Sequence, residues 1–134
     1  MTKILAIAVL FASTAFAQPK NVVAVTIESG QSLSSVARLR SENLTQLCTP
    51  TAILMPSAWT TAGLTFQVSV DGTTFFNLYD DSGAEVSVST AANRAVYIPA
   101  AYFWGMRFLK VRSGTAAAPV NQGAARTLQV VCRD

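Results

Sequence analysis

The sequence predicts an all-β fold. The expected form is a single β-sandwich of about 8–9 antiparallel strands, with jelly-roll-like or galactose-binding-like connections, behind an N-terminal apolar leader. Three observations carry this. After residue 17 the apolar residues fall in short alternating runs spaced about ten residues apart, and no long helical period appears. Hydrophobic residues make up 51% of the chain and charged ones only 13%, against the usual quarter or so charged. That balance excludes a disordered chain and suits a hydroxyl-rich, weakly charged surface. Gly, Asp, Asn and Pro punctuate the runs where turns are needed. At 134 residues the chain is long enough for one domain with a proper core.

The first seventeen residues, "MTKILAIAVLFASTAFA", have one Lys, an apolar run from Ile4 to Ala12, and small residues at Ala15 and Ala17. This is the layout of a secretory signal peptide, with the cut expected after Ala17 and the sandwich domain spanning 18–134. The run is too short for a bilayer, which needs about 20 residues. The alternative is an uncleaved apolar anchor that packs on a partner. Two cysteines, Cys48 and Cys132, have no metal-site spacing. In an oxidising compartment they are expected to form one disulfide, closing a loop of about 85 residues and contributing about 4–5 kcal/mol by the chain-entropy argument. Two buried thiols are the alternative.

Along the domain, Val23, Val25 and Ile27 alternate with Ala24, Thr26 and Glu28 as a half-buried strand. Leu33, Val36 and Leu39 follow in a Ser-rich run read as an irregular strand. Ala52–Met55 is a strand bracketed by Pro50 and Pro56, and Trp59 in the next loop is placed over one end of the core. In "LTFQVSV" Leu64, Phe66, Val68 and Val70 face one way, and Thr65, Gln67 and Ser69 the other. Asp71-Gly72 signals a tight hairpin, with "TTFFNLYD" returning and Asp80–Gly83 turning again. Strands are expected at Ala84–Thr90, Arg94–Ala100 and Met106–Ser113, the last with a phase slip between Phe108 and Leu109 that predicts a bulge. The small-residue stretch Gly114–Ala125 reads as the most mobile loop, and "RTLQVVC" closes the domain.

The chain contains no histidine, which removes His-based acid–base chemistry, His metal ligands and Ser-His or Cys-His nucleophiles. Seven arginines and three lysines against seven acids give a net charge of +3. The basic residues are scattered, without the basic-aromatic runs of a nucleic-acid groove. Asp71, Asp80 and Asp81, with Asn77 nearby, offer oxygens that could hold Ca²⁺, but lack the alternating spacing of a calcium loop. They are read as turn formers, and no cofactor is expected. Asp80 and Glu85 are a weak case for a glycosidase pair, so the chain is read as non-enzymatic. The aromatics carry more. Phe75 and Phe76 are adjacent, as are Tyr102, Phe103 and Trp104, so some must leave the core. Trp59, Phe76, Tyr79, Tyr102 and Trp104, with Arg107 and Arg112 on the polar face of their strand, are the candidate contact residues.

The segments "TIESGQSLS", "MPSAWT", "LTFQVSVDG", "LKVRSGT" and "PVNQ" together resemble small β-sandwich proteins encoded among the structural genes of tailed bacteriophages and prophages, over about Val22–Val131. The resemblance implies a virion component of decoration, fibre or adhesin type, binding other virion proteins or copies of itself, with no catalytic residue. More distantly, "FQVSVDGTTFFNLY" and "RFLKVRS" look like paired strands of discoidin-type carbohydrate-binding domains. That implies a secreted or periplasmic module for cell-surface glycans as the alternative. The leader departs from the virion pattern, since virion proteins assemble in the cytoplasm.

Overall fold

The computed structural model describes residues 22–43 and 45–133. The leader, residues 1–17, and its expected cut lie outside the described residues. Nine strands form: β1 (Val22–Ile27), β2 (Ala37–Arg38), β3 (Thr49–Leu54), β4 (Leu64–Ser69), β5 (Phe76–Asn77), β6 (Ser87–Val88), β7 (Ala95–Tyr97), β8 (Phe108–Ser113) and β9 (Arg126–Arg133). A 3-10 turn, Ala100–Phe103, links β7 to β8. One sheet has the order β1-β9-β3-β7. The other runs β2-β8-β4-β5, with β6 also on β4. All pairings are antiparallel.

The pairing has a simple logic. β1 pairs with β9, β2 with β8, β3 with β7 and β4 with β6. The first half of the chain lies beside the second half, run backwards, as one folded ribbon. The further pairs β3 with β9 and β4 with β8 roll that ribbon into two layers. This is the jelly-roll arrangement, with β1 and β7 at the edges of one sheet and β2 opposite β5 and β6 at the edges of the other.

The core lies between the sheets. Val25, Ile27, Ile53, Leu128 and Val130 face Leu64, Phe66, Val68, Leu109 and Val111, all nearly or fully buried. These are the inward positions of alternating strands. Phe103, on the 3-10 turn, plugs the core where β7 passes to β8. Its ring meets Phe66 edge-on at 5.2 Å and 87°, a geometry worth about 0.5–1.5 kcal/mol beyond burial. Cys48 and Cys132 are bonded, with Cα atoms 4.7 Å apart, tying the lead-in to β3 to the end of β9.

Several expectations need correction. The β4–β8 register runs unbroken from Ser69↔Phe108 to Leu64↔Ser113, so no bulge separates Phe108 from Leu109. Phe108 faces outward, and the register shift falls instead between Pro50 and Ala52 of β3, where Pro50 cannot donate to the ladder. Val70 is exposed, not inward. The Ser69 hydroxyl accepts from the amides of Asp71 and Gly72 (3.3 and 2.9 Å) and turns the chain before the alternation reaches Val70. The connection after β4 is a longer loop than a two-residue hairpin, with Val68 paired to Phe76. The strand expected over Ala84–Thr90 is regular only at Ser87–Val88.

The Gly114–Ala125 loop, expected to be mobile, is pinned. Gly114 bridges to Pro119, and the Val120 amide donates to the Ser113 carbonyl. The buried Gln122 amide donates to the Thr60 carbonyl and the Ser113 hydroxyl, and accepts from the Thr60 amide, at 2.7–3.0 Å. Small side chains there allow close approach rather than freedom.

Candidate binding surfaces

The outer face of the four-stranded sheet follows from the register. Its rows read Val22, Val131, Ala52, Tyr97 and then Ala24, Gln129, Leu54, Ala95, with Thr26 beside Thr127. The last two hydroxyls lie 3.0 Å apart, fixing that pair on the outward side. These rows carry no charge, and Tyr97 at one margin is 87% exposed.

The outer face of the five-stranded sheet is of the opposite kind. Arg38 stacks over Phe108 at 5.4 Å and Lys110 over Phe75 at 4.3 Å. Arg112 lies 3.3 Å from the Glu85 carboxylate and 2.6 Å from Asn77 Oδ1, to which it donates. Its other contact is the Thr65 hydroxyl at 3.5 Å. This cover explains why Thr65 and Ser69, at outward positions, are buried.

The sequence-predicted contact residues therefore separate. Phe76, Tyr79, Tyr102 and Trp104 are exposed. Phe76 and Tyr79 lie along the β5 edge, with Tyr79 bridged to Glu85. Tyr102 and Trp104 flank the buried Phe103 on and just after the 3-10 turn. Trp59 is half-buried against the core, and its Nε1 donates to the Ala62 carbonyl at 3.0 Å. It covers the core end, as expected, and is no free platform. Arg112 is buried in the network just described and is not an exposed contact residue.

Arg107 does reach a cleft. An open depression of about 390 Å³ is lined by Arg40, Ser41, Glu42, Gly105 and Arg107. The Leu39 amide donates to the Arg107 carbonyl, and the Arg107 amide to the Ser69 carbonyl, so β2 and β8 bring the two arginines to one end of the roll. The opposite wall is closed at its base by the Arg40↔Leu47 bridge and by the Gln46 amide donating to Ser41 Oγ at 2.9 Å. The next residue, Cys48, holds this wall to β9 through the disulfide. Gly105, at φ +82°, reverses the chain between Trp104 and the cleft.

The turn acids are occupied locally. Asp71 Oδ1 accepts from the Thr73 and Thr74 amides, both at 2.8 Å, and from the Ser69 hydroxyl. These bonds favour the ionised form and lower its pKa to about 2. Asp80 Oδ1 accepts from the Ser82 hydroxyl and the Ala84 and Ser82 amides, which also lower its pKa. Among the described residues no group of three or more acids or cysteines gathers as a metal site. Glu85 is tied to Arg112 and to the Ala116 amide and does not face Asp80 across a cleft.

Sequence reasoning missed Arg40 and Tyr97. Both signals were present: "ARLR" sets Arg38 and Arg40 two apart, and in "AVYIP" Tyr97 sits out of phase with Val96 and Ile98.

A single jelly-roll β-sandwich with two unlike faces and an arginine-lined end is the class that fold and surfaces define. Compared with family models, curated proteins and solved structures, the chain matches none. Among the described residues no helix is long and apolar enough to cross a membrane.

Proposed function

We propose that the protein is a non-enzymatic virion structural or decoration protein of phage type, acting by surface association. The observation that carries this is the outer face of the four-stranded sheet, whose central rows carry no charge and which has Arg133 at one end. Central rows with Val22, Val131, Leu54 and Tyr97 outward and no charge among them, with Arg133 at the end of the face, have the make-up of a protein–protein contact: an apolar centre and a polar rim. Its partner is a protein subunit of the particle, with Tyr97 as the aromatic anchor.

The test is incorporation. Particles from the native source, purified and analysed by peptide mass spectrometry, contain the chain. Tyr97→Arg with Leu54→Lys leaves the isolated domain folded and removes it from particles. A chain absent from particles, or incorporated equally well with both changes, sinks the reading.

The second reading, an exported carbohydrate-binding module, is favoured by the Cys48–Cys132 disulfide. Such bonds persist in oxidising compartments and are rare in the cytosol. In that case the intact mass from the native source corresponds to a chain starting at Gln18, and the export supplies the bond.

A further inference from the structure

We infer that the cleft between Arg40 and Arg107 is a binding site for an anionic sugar, one carrying a carboxylate or a phosphate. The inference rests on the reading that the chain works by association, and it adds the ligand's chemistry.

Among the described residues, neither arginine side chain makes an ion pair or a hydrogen bond. The ion pair found there is Arg112 with Glu85, and Arg38 is stacked on Phe108. Both arginines line the same depression, and backbone bonds through Leu39, Arg107 and Ser69 hold their chain segments side by side. Glu42, exposed on the rim, is the one acid among the described lining residues, against the two arginines. Guanidinium forks match carboxylate and phosphate oxygens in pairs.

The sugar part follows from the neighbours. Trp104, 68% exposed, directly precedes Gly105 on the cleft wall, and Tyr102 stands two residues before it. Neither is in the lining itself, but an exposed aromatic side chain one residue from it is a candidate face for the apolar side of a pyranose ring. The Ser41 hydroxyl in the lining adds a small hydrogen-bonding group of the kind that reads sugar hydroxyls. The stacked bases of a nucleic acid would need a longer basic track than two arginines.

The test uses the chain with its disulfide intact and isothermal titration at low and moderate salt. The probes are oligogalacturonate, a mannose 6-phosphate oligosaccharide, neutral cello-oligosaccharide and single-stranded DNA. At least one anionic saccharide binds, weakens as salt rises, and loses tenfold or more in affinity in Arg40→Gln and in Arg107→Gln. The carboxylate and phosphate probes separately identify the anion. Arg94→Gln, at the opposite end of the roll, leaves affinity unchanged, and Glu42→Gln tightens it, a gain that a structural role for these residues would not produce. No binding by either anionic saccharide, equal binding of the neutral one, indifference to both arginine changes, or DNA binding with the same arginine dependence overturns the inference. Each outcome is read on the isolated protein, so it stands apart from whether the chain enters particles.

Discussion

The Arg112 guanidinium lies 3.3 Å from the Glu85 carboxylate, on a sheet face where strand alternation alone would leave the arginine free in solvent. The pair is largely buried, with side-chain exposures of 9% and 16%, and joins β8 to the turn that leads into β6. Removing one partner of such a pair leaves a charge with little water around it. Arg112→Ala is expected to lower stability by about 2–4 kcal/mol, with Glu85→Gln losing less. The double change is expected to fall short of the sum by about 1 kcal/mol or more. Urea denaturation of the four proteins measures this, and strict additivity would contradict it.

Gly72 and Gly83 form a natural control pair. Both have positive φ, +80° and +84°, but a Cβ on Gly72 would stand 3.0 Å from the Phe108 ring, while one on Gly83 meets nothing within 4 Å. Gly83→Ala is expected to cost about 1 kcal/mol through backbone strain, and Gly72→Ala about 1 kcal/mol more because the ring must shift. Thermal or chemical denaturation of both variants isolates the packing part. Equal losses would mean that Phe108 moves aside freely.

Asp71 gives the fold an acid-sensitive turn. Its carboxylate pKa falls from 3.8 to about 2 through the Thr74 and Thr73 amides and the Ser69 hydroxyl. A depressed native pKa means that the unfolded chain binds the proton more readily. The stabilisation is therefore complete above about pH 4 and is lost as pH falls towards 2. Asp71→Asn keeps the shape without the titration. The wild-type advantage over this variant is expected to be constant from pH 5 to 7 and to shrink between pH 4 and 2, followed by denaturation midpoints. A difference that does not change with pH would remove the carboxylate from the account.

The inward residues were legible because alternation survives any detail of connection: Val25, Ile27, Leu64, Phe66 and Val68 are all core. The sandwich class followed from turn spacing, and the disulfide from having two cysteines. Less legible was whatever depended on the outward faces. Nothing local in "FLKVRS" says that Arg112 meets Glu85, 27 residues away, or that Gln122 rather than loop composition decides the order of Gly114–Ala125. The phase slip expected between Phe108 and Leu109 is absent because Phe108 faces outward in an unbroken register, where Arg38 and Gly72 cover it. Of the proposed contact residues, the four exposed aromatics and Arg107 remain available, while Arg112 and Trp59 are taken up by structure.

The pairing of Val22 with Val131 brings the first and last strands of the roll side by side at one end, beside the arginine cleft. Asp80–Gly83 turns the chain near the other. A circular permutant is therefore within reach: a short flexible linker from β9 to β1, with new ends opened at Ser82–Gly83. Every strand would keep its neighbours, and the order of synthesis would change without altering the roll.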